Sequence, residues 1–357
     1  MQPLAVIAGI LLIFVILWDA FETVVLPRRV TQQLRLARLF YRATWLPWSA
    51  VALRMRNDRR RENFLSFYGP MSLILLLAVW ASGMIFGFGF LHWALDSIPQ
   101  EGGGDFVTAL YFSGTSFFTL GLGDLAPGGG WGRLLTVVEA GIGFAFLGLI
   151  VGYLPALNQA FSEREAGVSL LDARAGSPPT ATELLRRNCR GDNIAAVGRF
   201  LRDWEQWSAE VLESHLSYPV LGYFRSHHDH QSWVTALTMI LDASALVVIS
   251  KDEEAIHQAQ LTFAIARHAV VDLSGVFGTP PKPLARDRLE AKDLALLRST
   301  LLTAGFIIRD DPVAEQRLSQ MRQAYEPYVN ALSRYLLMPL PPWFPVAGIP
   351  DDWQLGG

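Results

Sequence analysis

Three long apolar segments limit what this chain can fold into. Residues 63–95 contain no Asp, Glu, Lys or Arg, and residues 134–161 contain only Glu139. Residues 3–18 are uncharged, and together with residues 19–26 they approach the ~20 residues that a helix needs to cross a bilayer. We interpret the first segment as a retained helix because it lacks the basic start and the cleavage site of a signal peptide. The sequence therefore predicts an all-α membrane protein with three spanning helices.

Arginine is distributed unequally between the loops. Residues 27–62 contain ten Arg, whereas residues 96–132 contain neither Arg nor Lys. The positive-inside rule predicts that the first loop is cytoplasmic, and that the N-terminus and the second loop are external. Everything after residue 161 is then cytoplasmic, and the expected location is a multi-pass position in the plasma (inner) membrane. Leu, Phe and Trp interrupt the arginines, which indicates an interfacial segment on membrane lipid rather than a nucleic-acid-binding patch.

A glycine-containing segment lies between the second and third apolar segments. It follows an aromatic-rich segment, residues 106–118, that is too short to span a bilayer, and it precedes a Gly/Pro loop. A dehydrated cation can be coordinated by stacked backbone carbonyls, and alternate glycines reach the backbone angles that such stacking needs. We therefore predict a re-entrant pore loop whose ion selectivity filter consists of Thr119, Leu120, Gly121, Leu122, Gly123 and Asp124.

At these residues the chain resembles the potassium channel superfamily, in its bacterial form with two helices around one pore loop. The resemblance covers roughly residues 65–157, and the family's filter sequence Thr-Val-Gly-Tyr-Gly is similar to the segment found here. It implies a homotetrameric, potassium-selective channel with potassium ions in the filter and no other cofactor. Leu122 replaces the family's Tyr or Phe, which packs against pore-helix aromatics; the matching candidates here are Tyr111 and Phe112.

Two alternatives remain open. The first, which Leu122 favours, is a weakly selective or sodium-conducting channel. A membrane-anchored receptor or enzyme, in which the pore fold is structural, is the second.

Two sets of residues are predicted to act around the filter. Glu139, the only charge in the third apolar segment, is expected to hydrogen-bond the back of the pore helix near Thr115 or Ser116, unless it is simply hydrated near the outer interface. Glycines allow bending or close packing of a membrane helix. The candidate gating residues are Gly141, Gly143, Gly148 and Gly152.

The sequence predicts five parts. They are an N-terminal transmembrane helix (residues 1–26), an Arg-rich cytoplasmic elbow (27–64), a pore domain (65–161), a helical cytoplasmic domain (176–338) and a Pro-rich tail (339–357). Within the pore domain we expect an outer helix at 65–95, a pore helix at 105–118, the filter at 119–124 and an inner helix at 133–157. Asp105 is a candidate cap of the pore helix.

Asp19 and Glu22 lie one helical turn apart near the cytoplasmic end of the first apolar segment. A carboxylate in lipid is costly, so it usually faces protein, water or a base. Neutralisation by a loop arginine and contact with the pore helices both remain open.

The cytoplasmic half shows no chemistry that we can assign. It contains neither a dinucleotide-binding nor a phosphate-binding glycine motif, and no catalytic pattern, so we predict no enzyme activity, no catalytic residue and no resident cofactor. An unidentified cytoplasmic ligand remains open. Four clustered residues suit a metal chemically, namely His227, His228, Asp229 and His230, with His215 nearby. A hydrated loop explains the same residues and adjacent histidines point different ways, so we predict no metal site.

Residues 233–250 could be mistaken for a fourth span. Asp242 lies near their centre, at a cost of ~3 kcal/mol on insertion scales. A buried helix is therefore predicted. Cys189 is the only cysteine and cannot form an internal disulfide, in agreement with a reducing compartment.

Overall fold

A computed structural model describes residues 3–24, 36–99, 104–189, 195–227 and 231–345, and these residues are almost entirely helical. The helices are α1 (Pro3–Val24), α2 (Leu36–Leu53), α3 (Asp58–Ser66), α4 (Tyr68–Ala94), α5 (Phe106–Phe117), α6 (Gly129–Ala175), α7 (Ala181–Asn188), α8 (Ala195–Ser217), a 3₁₀ helix (Pro219–Tyr223), α9 (Trp233–Val248), α10 (Glu253–Val276), α11 (Ala291–Thr303) and α12 (Pro312–Leu336). Within these described residues, β-structure is limited to one isolated bridge, between Ser250 and Ile308. The chain is thus an all-α membrane protein.

Three helical stretches are long and apolar enough to cross a membrane: Pro3–Val24, Asp58–Ala94 and Gly129–Ala175. The chain divides into two compact units. The first comprises Phe67–Gln159 together with α1 and most of α2, and the second comprises α3, the end of α6 and the helices that follow.

In the first unit, α1 packs against α4 through glycines. A Cβ atom at Gly9 would lie 2.7 Å from the carbonyl oxygen of Gly87, and one at Gly83 would lie 2.9 Å from the side chain of Ile16. Gly83 and Gly87 are one helical turn apart, which is the small-residue spacing that lets membrane helices approach closely. Large side chains of α4, among them Trp80 and Met84, fill the core on the same side.

Asp19 is buried within this unit. Its carboxylate accepts hydrogen bonds from the indole Nε1 of Trp80, at 2.9 Å, and from the backbone N–H of Ala37, at 3.1 Å. The first contact reaches the outer helix α4, and the second satisfies a backbone donor in the first turn of α2. The structure therefore shows the second of the two arrangements considered for Asp19, contact with the pore domain. Two of the loop arginines that could neutralise Asp19 and Glu22, Arg28 and Arg29, lie outside the described residues.

The third long helix, α6, differs from the predicted inner helix at both ends. It begins at Gly129 rather than residue 133, and it ends at Ala175 rather than residue 157, with Pro155 inside it. Hydropathy falls after residue 161, but Glu, Arg, Ala and Leu remain good helix formers, so the helix continues. Its last turns are buried in the second unit through Val168 and Leu171.

The second unit is built around α9, in which all sixteen residues are buried. Helix α10 packs against α8, α9 and α12. The carboxylate of Asp242 on α9 lies 2.5 Å from the guanidinium of Arg288 and also accepts a hydrogen bond from the hydroxyl of Tyr325. A buried charge is tolerated when it is paired and hydrogen-bonded in this way. The apolar segment at 233–250 is thus a core helix followed by a short turn.

The chain after α12 crosses the second unit without helical structure. Thr182 donates a hydrogen bond to the carbonyl of Trp343, and Arg288 donates one to the carbonyl of Pro341. The Trp343 ring is buried beneath the guanidinium groups of Arg288 and Arg322. Of the predicted tail, residues 346–357 lie outside the described part of the chain.

Candidate ion-conducting site

The pore helix α5 is short because its ends are defined by capping and by the filter. The carboxylate of Asp105 accepts a hydrogen bond from the backbone N–H of Thr108, at 2.9 Å, as an N-cap does. Hydrogen bonding from Thr108 lowers the pKa of the Asp105 carboxyl. Asp105 thus caps the pore helix, as we predicted.

The glycine segment has a regular alternation in its backbone. The φ angle is positive at Thr119 (54°), Gly121 (58°) and Gly123 (79°), but not at the intervening Leu120 and Leu122. Alternation between left-handed and right-handed backbone turns the carbonyls of successive residues toward one side of the chain. A row of carbonyl oxygens on one side is what replaces the hydration shell of an ion in a filter. Positive φ at a threonine is uncommon and is typical of functional sites.

The same segment is open within a single chain. A Cβ atom built on Gly121 or Gly123 would meet nothing within 4 Å. The side chains of Leu120 and Leu122 are 60% and 62% exposed. Apolar side chains exposed to this extent indicate that something else covers them in the assembled protein.

The pore helix holds the segment at both ends. The backbone N–H of Leu120 donates to the carbonyl of Thr115 over 2.8 Å, and the hydroxyl of Tyr111 donates to Oδ2 of Asp124 over 2.8 Å. The Thr115 hydroxyl itself bonds the carbonyl of Phe112. Tyr111 and Thr115 are therefore in contact with the predicted filter.

Phe112 occupies a different place. It is buried in a small cluster with Ile98 and Ala109, and the ring of His92 lies edge-on to it with centroids 5.0 Å apart. Within the described residues, Phe112 thus packs between α5 and α4.

Glu139 is fully buried behind the pore helix, so it is not a hydrated interfacial carboxylate. It bonds the pore helix as expected, but through Ser113 rather than Thr115 or Ser116. Its second oxygen lies 3.0 Å from Nε2 of His92 on α4. Our sequence reasoning missed both partners, although His92 is the only histidine in the apolar segment before the pore loop, and that was an available signal.

The four glycines of α6 fall into two groups. A Cβ atom at Gly143 would lie 1.9 Å from the carbonyl oxygen of Phe117, at the end of the pore helix. Gly141, Gly148 and Gly152 would meet nothing within 4 Å. Close approach to the pore helix therefore accounts for Gly143, whereas the other three remain candidate gating positions.

The histidines of the second unit that the structure describes lie apart from one another. Within the described residues there is no group of three or more His, Cys, Asp or Glu side chains that could hold a metal ion. His215 is buried 3.3 Å from the guanidinium of Arg164, and His227 lies edge-on to Phe161. His228, Asp229 and His230 lie outside the described residues.

Comparison with known proteins agrees with this geometry. Residues 74–159 match the family model described as "Ion channel". The chain is similar to the "Uncharacterized membrane protein YdjJ" of Bacillus subtilis (strain 168), with 26% identity over 184 residues that cover 50% of this chain and 53% of the relative. The chain thus spans about half the length of that relative. No solved structure matches. Residues 74–159, which include α5 and the glycine segment, are therefore an ion channel domain of the two-helix, potassium-channel-like type.

Proposed function

We propose that this protein is a tetrameric, potassium-selective channel of the plasma membrane. Residues 119–124 form its filter, and potassium ions bind between the carbonyl oxygens of successive residues. Asp124 lies at the outer mouth, where four carboxylates would raise the local cation concentration.

The observation that carries this proposal is the alternation of φ at Thr119, Gly121 and Gly123. An ordinary Gly-rich turn needs one or two residues with positive φ, whereas here every second residue has it over five positions. This repeat has the periodicity of a carbonyl ladder, and it lies between α5 and a helix long enough to span a bilayer.

A stripe on α6 supports assembly from several copies. Val137, Phe144 and Val151 are 69%, 72% and 65% exposed, and Gly141 and Gly148 lie between them. The spacing alternates between three and four residues, so these positions share one face of the helix. A ring of carbonyls around one ion needs copies arranged about an axis, and we propose that this stripe faces that axis and the neighbouring copies.

We further propose that the N-terminus is external and that the second unit is cytoplasmic, where it regulates conduction through an unidentified ligand. The arginine distribution supports the orientation. The continuity of α6 supports the regulatory role, because residues up to Gln159 belong to the first unit and those from Ala160 belong to the second. A change in the second unit would then act directly on a helix of the channel domain.

Cation flux from purified protein in liposomes tests the function. We expect potassium to permeate at least several-fold better than sodium in bi-ionic reversal potentials, with block by barium. Equal permeabilities would contradict potassium selectivity and favour a weakly selective or sodium-conducting channel, for which the replacement of the family's Tyr or Phe by Leu122 is the specific observation. Absence of any cation flux would contradict the channel function and leave a membrane-anchored receptor or enzyme. Native mass spectrometry tests the tetramer.

A further inference from the structure

Four buried polar side chains form a connected cluster in the channel domain, which we name the Glu139 cluster. None of them is more than 3% exposed. The members come from three helices and one loop: His92 on α4, Ser97 just after α4, Ser113 on α5 and Glu139 on α6. Burying this many polar groups in a membrane domain is costly unless each has a partner, so their arrangement needs an explanation.

A continuous chain of hydrogen bonds links the members of the cluster. Ser113 donates to Glu139 Oε1, and Glu139 Oε2 lies 3.0 Å from Nε2 of His92. Nδ1 of His92 lies 2.6 Å from the hydroxyl of Ser97. Glu139 thus joins the pore helix to the outer helix.

The ends of this chain of bonds lie on the two sides of the predicted filter. Ser113 precedes Thr119 by six residues. At the other end, the carbonyl of Ser97 accepts a hydrogen bond from the N–H of Gly128, at 2.7 Å, four residues after Asp124. The loop after the filter is therefore tied to Ser97, and the helix before the filter is tied to Glu139.

We infer that Glu139 and His92 are positioning residues of the filter, which hold the chain before and after it at a fixed separation. This inference rests on the proposed function of residues 119–124. A filter selects between cations through the placement of its carbonyls, so loosening either end should reduce selectivity before it abolishes conduction.

The hydrogens of the cluster can be counted. There are five close contacts. The Ser113 hydroxyl contacts Glu139 and the carbonyl of Ile85. Glu139 contacts His92, and the Ser97 hydroxyl contacts both Nδ1 and the backbone carbonyl of His92. The two serines supply one hydrogen each. A net-neutral pair of Glu139 and His92 supplies two more, wherever the shared proton resides. Each of the five contacts needs one hydrogen to be a hydrogen bond, but only four hydrogens are present. One contact therefore lacks a hydrogen, and one further proton could bind there.

Uptake of that proton would place a positive charge beside the filter and lower its cation occupancy. Acidification should therefore reduce potassium conductance with a one-proton dependence. Among the described residues, the cluster's own titratable members are Glu139 and His92. Other titratable groups on α4, α5, α6 and the loops between them include Tyr68, Asp96, Asp105, Tyr111, Asp124, Arg133 and Tyr153.

The test compares matched variants of the full-length protein in liposomes. Ser113→Ala and Glu139→Ala should lower the potassium-to-sodium permeability ratio several-fold, and Ser116→Ala, one helical turn further along α5, should not. Glu139→Gln should retain selectivity, because an amide can still bond both Ser113 and His92, but it should lose the one-proton dependence on pH. Equal permeability ratios in Ser113→Ala, Ser116→Ala and the wild type would overturn the inference and leave the proposed function intact.

A second measurement does not depend on conduction. Hydrogen exchange at peptides covering residues 119–128 should be faster in Glu139→Ala than in the wild type, and unchanged in Ser116→Ala. Unchanged exchange in Glu139→Ala would overturn the inference. A wild-type protein that does not select potassium over sodium would instead contradict the proposed function.

Discussion

The hydroxyl of Tyr111 donates a hydrogen bond to Oδ2 of Asp124 over 2.8 Å, which connects the pore helix with the outer end of the filter segment. Tyr111→Phe removes this bond and leaves the ring. The bond lies at an exposed site, where water can replace the lost partner, so the protein should fold normally. We expect a several-fold smaller potassium-to-sodium permeability ratio in bi-ionic recordings. Tyr328→Phe, in α12, is the control; equal ratios in both variants would show that Asp124 does not need this bond.

Gly121→Ala and Gly123→Ala should abolish conduction. A Cβ atom at φ of 58° or 79° strains the backbone by roughly 1–2 kcal/mol per copy. In an oligomer this strain acts in every copy, at the same ring of carbonyls. Neither new methyl group would meet a neighbour within its own chain, so folding should be retained. Flux assays measure conduction, and gel filtration measures folding and assembly. Gly130→Ala is the control, since it also has open space but no positive φ; normal flux from both filter variants would rule out this segment as the filter.

Gly143→Ala and Gly141→Ala should differ sharply although they lie two residues apart. The Cβ atom at Gly143 would overlap the carbonyl oxygen of Phe117, so α5 or α6 must shift, at a cost of at least ~1–3 kcal/mol. Gly141 has nothing within 4 Å. We expect a lower thermal unfolding temperature for Gly143→Ala alone. The idea fails if the two variants unfold at the same temperature.

Cys189 should resist thiol reagents even in permeabilised cells. It is fully buried, and burial raises the pKa of its thiol to about 12, so almost no thiolate is present at neutral pH. The wild type thus provides an unlabelled background for a topology test. An impermeant maleimide should label Gly130→Cys in intact cells, and Asp310→Cys only after permeabilisation. The reverse pattern would invert the proposed orientation.

His215 should make the second unit sensitive to acid. Burial, with the nearby charge of Arg164, lowers the pKa of His215 to about 3. The unfolded chain therefore binds this proton first, near pH 6.5, so stability is full above pH 6.5 and falls as the pH drops toward 3. The loss is about 1.4 kcal/mol per pH unit.

Denaturation of the full chain between pH 7 and pH 5, followed by hydrogen exchange at α8 and α9, measures this slope. His215→Gln should reduce it, and the exposed His257→Gln should not. Equal slopes in all three proteins would mean that folding does not lower the pKa of His215.

Much of the channel domain could be predicted because its signals are local. The apolar runs, the cap at Asp105 and the glycine spacing each depend on a few neighbouring residues. The partner of Glu139 could not be predicted in this way. Successive residues of a helix differ by about 100° in direction, so Ser113 and Thr115 point to opposite sides of α5, and one sequence does not show which side faces α6.

The end of α6 was also beyond prediction from hydropathy. A change from apolar to charged residues marks where a helix leaves the bilayer, but a helix ends only where capping or a breaker stops it. Here that point is Ala175, followed by Gly176 with φ of 88°.

The pairing of Asp242 with Arg288 has a consequence for biosynthesis. Helix α9 emerges from the ribosome as a sixteen-residue, mostly apolar segment, in a chain whose earlier segments are apolar enough to enter the membrane-insertion machinery. Arg288 is synthesised 46 residues later, so the carboxylate of Asp242 is without this partner when α9 is first sorted between lipid and water. Its insertion cost of ~3 kcal/mol then acts as a sorting signal. The same side chain that later anchors the core of the second unit thus first keeps α9 out of the bilayer.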